Sequence, residues 1–124
     1  MPLVLAHRGA STQETENTLA AFRRAMDQGA DGVELDVMLC ASGEVVVCHD
    51  DDLTRLAGRP ERIDALPLAA LRQIRLQGGG EIPTLDEALA LLRAAGLVNI
   101  EIKYAGKGPG GCRALVAGVA ESVG

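Results

Sequence analysis

Apolar and polar residues along this chain switch repeatedly between the short period of strands and the longer period of helices. Residues 3–6, LVLA, are a continuous apolar run ending in His7-Arg8-Gly9, which predicts a buried strand opening into a polar loop over 11–16. Asn17 or Thr18 then caps a helix in which Leu19, Phe22 and Met26 recur at i, i+3 and i+7, and Gly29 stands where a helix stop is expected. Residues 32–51, GVELDVMLCASGEVVVCHDD, contain two β-rich runs, Val33 to Leu39 and Glu44 to Cys48, around an Ala-Ser-Gly turn.

Residues 51–65 are polar, carry Gly58 and Pro60 and show no period, which predicts a long loop. Pro67 opens a short helix through about Ile74, with Leu68, Leu71 and Ile74 at helical spacing. QGGGEIP, 77–83, predicts a turn. Thr84 and Glu87 form a capping box for a helix with Leu85, Ala88, Leu89 and Leu92 on one face, ending at Gly96. LVNIEI, 97–102, predicts another strand, and from Cys112 a last helix places Leu115, Val116, Val119 and Val123 on one side. Strands near 3–6, 33–38, 45–48 and 97–102, alternating with helices, predict an α/β fold with a parallel sheet.

Length and composition narrow this picture. At 124 residues the chain is one domain at most, and 48% hydrophobic content with mean hydropathy +0.15 indicates an ordered globular fold. With no Trp, one Tyr and one Phe, the core is aliphatic and base-stacking platforms are lacking; a net charge of −5 further argues against nucleic acid as partner. MPLVLAHRG lacks the basic start of a signal peptide, and no apolar run approaches the ~20 residues of a membrane span. Cys40, Cys48 and Cys112 form no CxxC, so reduced, mostly buried thiols in a cytoplasmic protein are expected.

Every predicted strand has ionisable residues at or near its C-terminal end: His7 and Arg8, Glu34 and Asp36, His49 and Asp50, Glu101 and Lys103. Active sites of α/β barrels and open sheets are built there. Glu34 and Asp36 share one face of their strand, and two like charges among Val, Leu and Met are costly to bury without a cation. A solvent-facing or Lys/Arg-paired arrangement answers that need. Glu101 adds a third carboxylate against the single adjacent Lys103, and a divalent cation answers it equally; three hard oxygen donors favour Mg²⁺ or Ca²⁺ over Zn²⁺. His7 and His49 read either as hydrogen-bonded structural residues or as an acid/base pair that titrates near neutral pH. GKGPGG, 106–111, matches GxGxxG between a strand and a helix, but Pro109 sits in the turn, Glu101 and Lys103 crowd the strand end, and no further strand with a ribose-binding acid follows.

Taken together, HRG at 7–9, ENTLAAF at 16–22, GADGVELDV at 29–37, SGEVVVCHD at 42–50, IPTLDEAL at 82–89 and IEIK at 100–103 resemble the glycerophosphodiester phosphodiesterases, in that family's order and approximate spacing. The resemblance implies that Glu34, Asp36 and Glu101 hold one divalent cation and that His7 and His49 are the general acid/base pair. It also implies that Arg8 and Lys103 contact the substrate phosphate, with Glu16, Asn17 and Asp50 in supporting places. The implied reaction is hydrolysis of a small-molecule glycerophosphodiester to sn-glycerol 3-phosphate and an alcohol. Thr15 stands where the family usually has Pro, Cys40-Ala-Ser-Gly replaces a Thr-Lys-Asp-Gly-like turn, and Arg55-Leu56-Ala57 replaces Arg-Thr-Thr.

The family's fold is a (β/α)8 barrel of roughly 250 residues. The resemblance therefore implies that 1–124 is a single, truncated domain holding about the first half of the barrel, with four strands. Its exposed sheet edges would be covered by self-association or by a complementary chain. The alternative is a non-catalytic half-barrel fragment acting through such an association.

Overall fold

The computed structural model describes residues 4–93, 97–103, 115, 117–120 and 122–123. Chain order is β1 (Leu5–His7), α1 (Leu19–Asp27), β2 (Gly32–Leu39), β3 (Val45–Val47), α2 (Thr54–Ala57), a 3-10 turn (Ile63–Ala65), α3 (Leu68–Leu71), α4 (Leu85–Leu92) and β4 (Leu97–Ile102). Leu115, 117–120 and 122–123 are also helical. Cys112 and the 106–111 glycine-rich motif lie outside the described residues.

β2 is the centre of the sheet. β1 runs parallel along one edge, with Leu5 opposite Gly32 and His7 opposite Glu34. β4 runs parallel along the other, from Leu97 opposite Gly32 to Ile102 opposite Val37. β3 departs from the expected parallel arrangement: it pairs antiparallel with the end of β2, Val37 opposite Val47 and Leu39 opposite Val45. The reason is length. Only residues 40–44 separate Leu39 from Val45, and a parallel crossover needs a dozen or more residues whereas a hairpin needs few. Because Val37 pairs with both Ile102 and Val47, β3 must lie on the edge of β2 that β1 occupies. β1 and β3 therefore follow one another along that edge.

Side-chain alternation on β2 divides the protein into two cores. Val33, Leu35 and Val37 face α1 and α4, packing with Phe22, Ala25, Leu85, Ala88 and Leu92. Leu115 is buried in the same cluster, while Val123, expected on the apolar face of its helix, is 63% exposed. The opposite face of β2 presents Gly32, Glu34 and Asp36 and then Met38, which enters a second cluster with Cys40, Val46, Cys48, Leu53, Leu56, Ile63, Leu71, Ile74, Leu76 and Ile82. This second cluster overturns the expectation of a long loop over 51–65. The Asp52 carboxylate accepts from Thr54 N at 3.0 Å to start α2, and Leu53, Leu56 and Ile63 anchor the segment at spacings too irregular to read as a period.

Caps fix the helices that frame the sheet. Thr18 Oγ1 accepts from Ala21 N, and Gly29 at φ +84° follows the last turn of α1. At α4, Thr84 Oγ1 accepts from Glu87 N at 3.2 Å while Glu87 Oε1 accepts from Thr84 N at 2.9 Å, the predicted capping box. Gly32 is required by packing: a Cβ there would lie 2.0 Å from the Leu97 carbonyl oxygen.

Candidate active site

The β2 face that carries Glu34 and Asp36 is joined by Glu101, whose Cα lies opposite that of Asp36 across β2 and β4. One carboxylate oxygen from each of the three falls within 4.8 Å of the others, the one such acidic cluster among the described residues. Each acid also has a protein partner. Asp36, 1% exposed, accepts on Oδ2 from Asn17 Nδ2 at 3.0 Å, with Arg8 Nε 3.4 Å away. Glu34 Oε2 lies 3.4 Å from His7 Nε2, and Glu101 Oε1 lies 3.3 Å from Lys103 Nζ. The second oxygens of the two inner acids, Asp36 Oδ1 and Glu34 Oε1, are buried without a hydrogen-bond partner.

Orphaned anionic oxygens are costly unless a cation is shared between them. Burial, reinforced by the charges of Asp36 and Glu101, raises the pKa of Glu34 above its ordinary value, against the opposing pull of His7. Hard oxygen donors at this spacing fit a divalent cation of the Mg²⁺ or Ca²⁺ type. The donor set thus suits the metal centre expected from the sequence.

Two strained backbone positions shape the wall of the site. Arg8 and Asn17 both have positive φ, 58° and 56°, and Asn17 N donates to the Arg8 carbonyl at 2.9 Å. Arg8 N in turn donates to the Glu34 carbonyl at 2.7 Å, extending the β1 ladder by one bond. These turns send the Arg8 and Asn17 side chains onto Asp36.

The second histidine arrives from β3. Cys48 N donates to the Asp36 carbonyl at 2.9 Å, so the end of β3 reaches the same edge of β2 as Arg8, two residues further on. His49 Nδ1 lies 2.8 Å from Asp50 Oδ1. Arg55, which the sequence reading did not place in the site, holds Asp50 through Nε and Nη2 at 2.8 and 3.0 Å and Glu16 through Nη1 and Nη2 at 2.7 and 2.9 Å. Arg8 Nη1 donates to Glu16 Oε2 at 3.2 Å. These guanidinium bonds lower the pKa of Glu16 and, with help from His49, bring that of Asp50 down to about 2. All ten residues expected in the site are positioned by β1, β2, β4 and the segments following β1 and β3. The legible clue to Arg55 was its position in the Arg-Thr-Thr block of the resemblance, where this chain changes the two Thr and keeps the Arg.

Fold and site together define an open, mixed four-stranded α/β sheet with an acidic, cation-competent tier across its neighbouring parallel strands β2 and β4. The sequence profile of the glycerophosphoryl diester phosphodiesterase family matches residues 7–109, and the chain belongs to that family. It is 42% identical over 109 residues to the glycerophosphodiester phosphodiesterase of Caldanaerobacter subterraneus subsp. tengcongensis, covering 82% of this chain and 45% of that protein. The Bacillus altitudinis glycerophosphodiester phosphodiesterase is 35% identical over 112 residues, 83% of this chain and 46% of that one.

Among solved structures, an Oleispira antarctica phosphodiesterase in complex with the product sn-glycerol-3-phosphate superposes with TM-score 0.86 at 38% identity, covering 99% of this chain and 52% of that chain. The Thermotoga maritima glycerophosphodiester phosphodiesterase gives TM-score 0.82 at 38% identity, covering 98% and 49%. This chain therefore spans about half the length of the relatives it matches.

Proposed function

We propose that this chain carries the metal-binding and proton-transferring part of a glycerophosphodiester phosphodiesterase, hydrolysing glycerophosphodiesters to sn-glycerol 3-phosphate and an alcohol. The observation that carries the reading is the Glu34, Asp36 and Glu101 tier with its two unpartnered buried oxygens. The product bound in the Oleispira antarctica relative supports the same substrate class.

In this reading Glu34, Asp36 and Glu101 would hold one Mg²⁺ or Ca²⁺, which when bound would supply Lewis-acid polarisation of a phosphoryl oxygen and favour ionisation of the attacking water or hydroxyl. The protein's own groups do the rest. Arg8 and Lys103, beside the acidic tier, balance the charge of the substrate phosphate. His7 and His49 exchange protons with the reacting oxygens: one takes the proton of the attacking group as its oxygen bonds to phosphorus, the other delivers a proton to the alcohol oxygen as its bond to phosphorus breaks. Such transfer contributes about 10²- to 10⁴-fold in rate. Asp50, ionised, only accepts hydrogen bonds, so it fixes the His49 proton on Nδ1 and leaves Nε2 for the reaction.

The test is divalent-dependent hydrolysis of glycerophosphocholine. Activity is expected with Mg²⁺ or Ca²⁺, to vanish with chelator, and to be lost in His7→Ala and His49→Ala; unchanged activity in both variants would sink the mechanism.

A second reading, a non-catalytic half barrel acting through association, is favoured by the sheet's outer edges. Among the described residues β1 and β4 each pair only with β2, and Leu5, Leu97 and Ile102 are 38%, 41% and 40% exposed. We propose that a further chain, either a second copy or a complementary segment, covers these edges. Light scattering discriminates: a stable, inactive monomer that binds no metal favours the non-catalytic reading. Cys40 and Cys48, both buried free thiols, support a reducing, cytoplasmic location, which fractionation would test.

A further inference from the structure

Arg55 is half-exposed, yet its partners are not: the Glu16 side chain is 11% exposed and that of Asp50 23%. Its planar guanidinium makes four bonds, a two-point grip on each carboxylate, with Nη2 shared between them. Each carboxylate has a second task at the site. Asp50 Oδ1 also meets His49 Nδ1 at 2.8 Å. Glu16 Oε2 also accepts from Arg8, whose Nε lies 3.4 Å from Asp36 Oδ2. A continuous chain of polar contacts thus runs from the His49 ring through Asp50, Arg55, Glu16 and Arg8 to the acidic tier.

We infer that Arg55 is a positioning residue that orients His49 through Asp50 and Arg8 through Glu16, fixing the proton-transfer side of the site relative to the metal-binding side. This rests on the proposed phosphodiesterase reading. Glu16 and Asp50 are like charges brought to one cation from segments 39 and 5 residues away in sequence, so without it they repel and separate. Asp50 then loses the fork that sets its plane, and the His49 ring loses its fixed acceptor. Glu16, released on the same event, no longer shares its carboxylate between Arg55 and Arg8. Lysine offers a point charge with three rotatable donors and cannot reproduce two forks at once.

The remaining anchorage of the segment is independent of the guanidinium. Leu53 and Leu56 are buried in the second core, and the Asp52 turn onto Thr54 starts α2. Replacing Arg55 is therefore expected to leave α2 in place.

The experiment compares Arg55→Ala and Arg55→Lys with the unaltered chain, reading the ring nitrogens of His49 by long-range ¹H–¹⁵N correlation and the hydrolysis of glycerophosphocholine with Mg²⁺. The unaltered chain is expected to show a single His49 tautomer protonated on Nδ1. Arg55→Ala is expected to mix the tautomers, to lower kcat about 10- to 100-fold and, through the released Arg8, to raise KM. Arg55→Lys should lose less, and added guanidinium should partly restore kcat to Arg55→Ala. A His49 ring signal unchanged in both variants overturns the inference even if melting temperature falls, as does full kcat in Arg55→Ala. If the unaltered chain hydrolyses nothing while both variants still disturb the His49 ring, the positioning link stands and the phosphodiesterase reading is the one that fails.

Discussion

Glu34→Gln separates the cost of the acidic tier from its use. Three carboxylates lie with oxygens within 4.8 Å of one another, and at an effective dielectric of about 20 each like-charge pair at that distance repels by about 3.5 kcal/mol. Arg8, His7 and Asn17 offset much of this, and Glu101 is half-exposed and screened by water. A net relief of about 1–2 kcal/mol is expected when the Glu34 charge is removed, or roughly 4–8 °C in melting temperature for a domain of this size. The amide keeps the volume and an acceptor for His7. In chelator at pH 7, Glu34→Gln should therefore be more stable than the unaltered chain.

Divalent cation reverses the order: at about 100 times its Kd it stabilises the unaltered chain by about 2.7 kcal/mol, while the variant, short of one anionic ligand, gains far less. The pH dependence has a fixed sign. Glu34 has a folded-state pKa above the ordinary 4.5, so its stabilising protonated form is complete below that value. Metal-free stability then falls as pH rises from about 4.5 through the raised pKa, a fall that Glu34→Gln should flatten. The assay is urea unfolding from pH 4 to 8 with chelator, Mg²⁺ or Ca²⁺. A variant less stable than the parent in chelator would mean that the Glu34 charge does not strain the tier, and one that gains as much from the cation would mean that it does not bind the cation.

Three further outcomes follow from other contacts. Arg55→Ala should weaken the chain above about pH 4 and leave it unchanged in strong acid: Asp50, held at about 2 against its usual 3.8, gives stability that is complete above 3.8 and lost between there and about pH 2. Because Arg55 is half-exposed the amount is discounted to about 1 kcal/mol, and acid titration followed by circular dichroism should show a shallower transition in the variant, an effect that high salt diminishes. Gly32→Ala puts a methyl 2.0 Å from the Leu97 carbonyl oxygen, so β2 and β4 must part; a loss of about 3 kcal/mol or more is expected in chemical unfolding, and less than about 1 kcal/mol would contradict the packing. Thr84→Ala removes one half of the α4 capping box, with an expected cost of about 1 kcal/mol measured the same way.

What could be read in advance was whatever depends on local chemistry. Strand alternation put Glu34 and Asp36 on one face, and the structure adds Glu101 to it through the β4 register. The Thr84 and Glu87 box and the Thr18 cap are short-range hydrogen bonds, visible as residue types at fixed spacing. What depended on the path of the chain was harder to see. The antiparallel course of β3 was implied by its short connection to β2, but βα alternation elsewhere in the chain suggested a parallel strand. The second core leaves no local period because Leu53, Leu56 and Ile63 are irregularly spaced and join Met38, 15 to 25 residues earlier in the chain. Arg55 was hidden in that same stretch, since its value to the site lies in partners contributed by two different segments.

The reversal of β3 brings the residue before His49 onto the same edge of β2 as Arg8. A parallel strand at 45–47 would have needed a crossover of a dozen or more residues after β2, where only residues 40–44 intervene. Running antiparallel along the edge that β1 also uses, β3 instead delivers its C-terminal end back toward the C-terminal end of β1. Arg8 N and Cys48 N bond to the Glu34 and Asp36 carbonyls, two residues apart on one strand, which spaces the two chain ends by roughly 7 Å along β2. The two acids whose carbonyls receive those bonds project their carboxylates from the same residues. Backbone ladder and acidic tier are thus set by one register, and a slip of one residue in β2 would turn Glu34 and Asp36 into the apolar core while breaking both ladders. On this argument the open edges of the sheet bear on what covers the site, and the geometry that pairs the histidine-bearing segments with the acids is already contained in β1, β2 and β3.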